Sequence, residues 1–132
     1  MTLAPLLAAS AVIQLHAFAA LGALALGAVQ LSAPKGTIPH RVFGWLWAGL
    51  LFVLAVSSFF IHEIRLWGPW SPIHLLSLFT LVMLPFAVLR ARQHEVVKHR
   101  RAMIGLFAGA LVIAGIFTLL PGRIMHAVMF ER

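Results

Sequence analysis

The sequence contains no cysteine and no tyrosine, and only three acidic residues, Glu63, Glu95 and Glu131. Without cysteine, neither a disulfide framework nor a thiolate metal site can be built. So few carboxylates argue against hydrolysis by paired acids. No serine–histidine–acid set, glycine-rich phosphate loop or Walker pattern is found either. Charge of any sign is scarce: charged residues make up 10% of the chain, against about 25% in soluble domains. Hydrophobic residues make up 62%, so there is too little polar surface to cover a soluble fold. The net charge of +7 would suggest nucleic acid in a soluble protein. Here the basic residues lie between apolar runs, so lipid head groups are the expected partner and nucleic acid is not.

Four apolar runs organise the 132 residues into one transmembrane domain, with helices expected at about 6–31, 42–61, 70–89 and 102–120. Each run is close to the ~20 residues that cross ~30 Å of hydrocarbon. In lipid the backbone must satisfy its own hydrogen bonds, so each should be a helix. Pro85 should kink the third or mark its end. The first run lacks the basic flank of a signal peptide and continues too long for one, so it reads as a retained helix. The fold expected is an all-α, up-down four-helix bundle embedded in the membrane.

Two connectors carry most of the positive charge. Lys35 and Arg41 lie in the first; Arg90, Arg92, Lys98, Arg100 and Arg101 lie in the third. The opposite side holds Arg65, Arg123 and Arg132, with Trp67, Pro69 and Trp70 at the expected interface. The positive-inside rule puts the two basic loops in the cytoplasm and both termini outside, and the bacterial inner membrane is the expected location.

Among the seven histidines, His16 stands out because it lies well inside an uncharged run. An ionisable group at that depth is costly, and it usually faces the bundle interior with a partner or ligand. His74 lies one turn into the third helix. Counted from Leu31 and Leu89 respectively, His16 and His74 are each 15 residues from the inner end, or about 22 Å by the helical rise. They should therefore share a layer on helices that lie diagonally across the core. Two histidines so placed are the axial ligand set of a b-type haem. The bland alternative is a buried hydrogen-bonded pair or a proton relay.

A second pair repeats the pattern. His40-Arg41 opens the second helix and His99-Arg100 the fourth, each followed by a glycine, Gly44 and Gly105. The offsets agree: His16 to His40 is 24 residues and His74 to His99 is 25. This suggests one helix hairpin used twice. His40 and His99 are candidate ligands of a second haem, with Arg41 and Arg100 paired to its propionates. Head-group anchoring at helix starts explains the same residues without a cofactor.

Other groupings carry less. His94-Glu95 and His99 fail the zinc-protease helix spacing, because Lys98 stands where the second histidine belongs. His62 and Glu63, with His74 and His126, are an alternative outer copper or zinc site. Met103 and Met125 are possible axial ligands by residue type, though packing explains them as well. Gln14, Gln30, Ser57, Ser58, Ser77, Thr80 and Thr118 read as scattered polar residues.

Two pairs of segments then carry a resemblance. They are His16-Ala-Phe-Ala-Ala-Leu-Gly22 with Pro39-His40-Arg41-Val-Phe-Gly44-Trp45, and Lys98-His99-Arg100-Arg101-Ala-Met103 with Leu120-Pro121-Gly122-Arg123. Together they resemble an uncharacterised bacterial membrane-protein family, domain of unknown function 2306, over nearly the whole chain. That resemblance implies a four-helix inner-membrane protein and no activity. More loosely, the layout is similar to small di-haem b-type cytochromes, which bind one haem near each membrane face. The chain departs from them in holding His40 and His99 at helix ends.

The function expected is membrane-embedded electron transfer by one haem b at His16 and His74, with a second considered at His40 and His99. A quinol or a larger membrane redox complex would be the partner. Two other classes remain: a cofactor-free accessory or assembly subunit of a larger complex, and a small histidine-dependent transporter or metal-binding protein.

Overall fold

The computed structural model describes residues 1–61 and 72–131. Among these residues all regular structure is helical. A short α1 (Ala4–Leu7) precedes α2 (Ala11–Ser32), α3 (Ile38–Ser58) and α4 (Pro72–Arg92). The last long rod is composite: α5 (Val96–Leu106), a π-helical segment Phe107–Ile113, and α6 (Ala114–Thr118). A final α7 (Ile124–Phe130) follows the Pro121-Gly122 turn. Four rods are long and apolar enough to span a membrane: Ala11–Ser32, Ile38–Ser58, Ile73–Arg92 and Val96–Thr118.

The rods begin where capping chemistry permits. The Ser10 hydroxyl accepts from Ile13 N at 3.4 Å, starting α2 five residues later than the apolar run. Thr37 Oγ1 accepts from His40 N at 3.2 Å, and Pro39 sits in the first turn, where its missing N–H costs nothing. α3 therefore starts four residues before the apolar run at Val42. The fourth rod starts six residues before Ala102, taking Lys98, His99, Arg100 and Arg101 into its first turns. Charge does not prevent a helix at a membrane surface, where long basic side chains reach the head groups. α4 runs unbroken through Pro85 to Arg92.

Each rod packs on the next: α2 on α3, α3 on α4 and α4 on α5, and the π segment returns to α2 to close the ring. This is the up-down bundle, with α2 and α4 on one diagonal and α3 and the fourth rod on the other. α3 contributes most to the core, through Trp47, Ala48, Leu51, Leu54 and Ala55. Large apolar side chains such as Leu15, Phe18, Phe52, Leu78 and Ile113 are exposed around the bundle, as a lipid-facing surface requires. Between helices in lipid, close packing and hydrogen bonds supply the association energy rather than water exclusion.

Near the basic loops that packing is tight. A Cβ on Gly27 would lie 2.6 Å from the Phe107 ring and 2.8 Å from Trp47 Nε1. Trp47 Nε1 donates to the Ala23 carbonyl at 2.9 Å, tying α3 to α2 inside the core. The loops are closed by their own side chains. Lys35 Nζ donates to the carbonyls of Gln30 (2.5 Å), Leu31 (3.0 Å) and Ala33 (2.5 Å), answering the unpaired end of α2. At the end of α4, His94 N donates to Ala91 O and Glu95 N to Arg90 O, the double bond of a Schellman cap. His94 fills its left-handed position at φ 58°. Glu95 then pairs with Arg90 at 2.9 Å and Lys98 at 3.0 Å. The Lys98 hydrogen bond, followed by Arg90, holds its carboxyl below the usual range.

The opposite end is covered by the two short helices. α1 packs on α7, Thr2 N donates to Val128 O at 3.0 Å, and Leu6 and Val128 are buried. The fourth rod differs from α3 in carrying the π-helical segment.

Candidate functional site

Between this cover and the tight half lies a cavity of about 610 Å³. All four rods line it, together with Leu6 of α1 and Met125 and Met129 of α7. Its walls are largely aliphatic. The polar side chains on it include His16, Ser58, Ser77, Thr80, Thr118 and Arg123. Residues that read as scattered in the sequence thus converge on one cavity from all four rods and from the start of α7.

His16 sits in the wall with its orientation fixed. Its Nδ1 lies 2.8 Å from Ser57 Oγ, and Ser57 directs its own proton to Leu54 O at 3.1 Å. With the Ser57 proton on that carbonyl, Ser57 accepts from Nδ1–H of His16 and the Nε2 lone pair is left for a ligand. A backbone or hydroxyl acceptor at one ring nitrogen is how proteins prepare the other to bind a ligand or metal.

His74 is placed differently. It is 2% exposed, its ring stacks on Phe59 at 5.6 Å between centroids, and its Nε2 donates to Ser58 O at 3.2 Å. Ser58 Oγ in turn meets Ser77 Oγ on α4 and donates to Ala55 O at 2.7 Å. His16 and His74 thus bond to consecutive residues at the end of α3, which puts both rings at one depth. Ser57 faces α2 and Ser58 faces α4. This serine pair was not recognised in the sequence; two adjacent hydroxyls ending an otherwise apolar run were the available signal.

At the basic end, His99 Nδ1 donates to Ala87 O at 2.7 Å, leaving Nε2 as its lone-pair nitrogen. His40 lies within electrostatic reach of His99 and Lys35, its Nδ1 is buried without a hydrogen-bond partner, and its carbonyl accepts from Gln30 Nε2 at 2.9 Å. His40 and His99 thus lie at the same, basic end of the bundle, on α3 and α5. Arg41 and Arg100 follow them directly on α3 and α5. His126 donates from Nδ1 to Leu119 O at 2.7 Å, which docks α7 on the end of α6. The alternative outer metal grouping depends on His62 and Glu63, which lie outside the described residues, as do Arg65, Trp67 and Trp70. Among the described residues no three histidine or acidic side chains converge as a metal cluster.

No curated protein and no solved structure matches this chain. Residues 13–131 match DUF2306, described as a predicted membrane protein. That span includes the first rod from Ile13, the other three whole, and every side chain of the cavity except Leu6. The chain is thus a multi-pass membrane protein, and it belongs to the DUF2306 family.

Proposed function

We propose that this protein is a haem b electron carrier of the bacterial inner membrane, with His16 as an axial ligand in the central cavity. The observation that supports this most is His16: a half-buried imidazole in the second turn of α2, held at Nδ1 by Ser57, on the wall of a ligand-sized space. The volume of about 610 Å³ falls within the ~300–1,000 Å³ common for cofactor and ligand sites. The aliphatic walls suit a macrocycle, and Arg123 suits a propionate carboxylate. When bound, haem supplies a one-electron couple inside the membrane.

In this reading His74 is the second axial ligand. Its shared depth with His16 favours the pairing. Its hydrogen bond to Ser58 O makes a turn of the ring away from that carbonyl the movement required. His40 and His99 are the candidates for a second haem at the basic end, with Arg41 and Arg100 for its propionates. Their place at the same end of the bundle and the Nδ1 of His99 held by Ala87 O support this. The positive-inside rule assigns the basic loops to the cytoplasm and both termini outside. Electrons would pass to or from a quinol or a larger membrane redox complex.

The test is haem content per chain in detergent-purified wild type and in His16→Ala, His74→Ala and His99→Ala. The reading predicts that His16→Ala removes the cavity haem and that His99→Ala affects a second haem alone. Unchanged haem content in His16→Ala would remove its basis.

A further inference from the structure

We propose that the cavity is loaded sideways from the bilayer with a lipid-soluble carboxylate, and that Arg123 is the residue that receives the carboxylate. Six large apolar side chains both line the cavity and reach the outer surface: Leu119 and Met129, 37% and 38% exposed, do so toward the α7 end, and the other four locate a side opening. Leu21 and Leu24 of α2, and Val112 and Ile116 of the fourth rod, all line the cavity. The same four are 46%, 40%, 39% and 61% exposed. Side chains that belong to both the inner wall and the outer surface mark a gap, and this gap lies between the first and fourth rods. Those rods are locked together nearer the basic end, where Phe107 closes on Gly27. At the other end α1 and α7 cover the cavity with the buried Leu6 and the half-buried Met125, while Met129 is 38% exposed. The open side therefore faces hydrocarbon, which selects ligands that partition into lipid.

Arg123 supplies the second half of the argument. Among the described residues it is the one charged side chain that lines the cavity. Both ion pairs among those residues belong to Glu95, at the far end of the bundle. Arg123 therefore has no acidic partner there, although it borders an apolar space. Gly122, at φ 84°, makes the turn that sets Arg123 at the start of α7. A guanidinium in this position is best matched by a carboxylate, which it can bind through two parallel hydrogen bonds. His16, oriented by Ser57, is the other ionisable group on the wall.

This inference rests on the haem reading only for the identity of the acid. There it is a haem propionate, whereas a free fatty acid would present the same group. The detergent-purified protein, stripped of bound ligand, would be titrated with hemin by visible absorbance. It would be titrated separately with a fluorescent polyene fatty acid and with the methyl ester of that acid. Arg123→Gln should weaken whichever acid binds by about tenfold or more. Arg123→Lys should recover part of the loss and shows that the fold tolerates change at this position. The methyl ester should bind wild type no better than the acid binds Arg123→Gln. Ile116→Trp, on the rim, should slow loading.

Hemin binding that depends on both Arg123 and His16 supports both readings. Fatty acid binding that depends on Arg123, without hemin binding, supports this inference and removes the haem reading. Hemin binding equally tight in wild type and Arg123→Gln overturns the role of Arg123 and leaves the haem reading standing. Failure of both probes to bind overturns both.

Discussion

The two ends of this bundle are built from the same rods and the same kinds of residue, yet one is filled and the other is hollow. At the basic end, Gly27 and Ala23 let α2 approach so closely that Trp47 and Phe107 fill the centre. At the other end, Ala17, Ala20, Ala110 and Gly115 face one another with no large ring between them, and about 610 Å³ stays open. Small residues draw helices together only where a large partner fills the remaining space; elsewhere they leave room. The π-helical segment lies at the junction, with Phe107 in the plug and Ala110 and Leu111 in the cavity wall. Segments of this kind are frequent at functional sites.

This contrast can be tested from both sides. The largest effect should come from Gly27→Ala, which forces Phe107 and Trp47 to move and should cost about 1–3 kcal/mol in thermal unfolding in detergent. Gly49→Ala is the control: a Cβ there meets nothing within 4 Å, and the change should stay within about 0.5 kcal/mol. Equal effects would mean that the plug is not tight. At the hollow end the sign should reverse. Ala20→Leu extends into the cavity and should stabilise the ligand-free protein by about 0.5–2 kcal/mol while abolishing ligand binding; destabilisation would mean that the space is already filled.

Smaller effects refine the picture. Trp47→Phe keeps most of the ring but removes the bond to Ala23 O, and unfolding should report a loss of about 0.5–1.5 kcal/mol. His94→Gly relieves a left-handed residue in the α4–α5 turn and should raise stability by up to about 1 kcal/mol. A loss there would give His94 a role besides the turn. The smallest effect belongs to Glu95. Its folded carboxyl lies below the usual range, so its contribution is present above the ordinary carboxylate pKa of about 4.3. It is lost as pH falls through the lower folded value. Glu95→Gln should therefore shift unfolding slightly at pH 7 and not at all at the acid end, with the difference screened by salt.

The four spans were legible in the sequence because lipid leaves a long apolar run few alternatives to a helix. Helix starts were less legible. Ser10 and Thr37 are good caps and Pro39 suits a first turn, but apolarity alone put the second start at Val42 and missed these signals. His99-Arg100 was read as opening the fourth helix, but the apolar run alone put its start at Ala102, whereas the helix begins at Val96 in the head-group layer. Depth was legible too: a count of residues placed His16 and His74 in one layer, and both rings bond to the end of α3. Rotation was not. Rods that are apolar on every face carry no stripe to show which side turns inward. The convergence of Ser58, Ser77, Thr80, Thr118 and Arg123 was therefore hidden, and so was the serine that orients His16. No local pattern signalled the π segment.

The central claim is that this cavity holds haem through His16. The most direct measurement is the visible spectrum of the protein purified in detergent from haem-replete cells, taken oxidised and then after dithionite reduction. The account predicts the sharp reduced bands of six-coordinate b haem in wild type and their loss in His16→Ala. A colourless wild-type protein would contradict it and shift the interpretation to an accessory subunit or a histidine-dependent transporter.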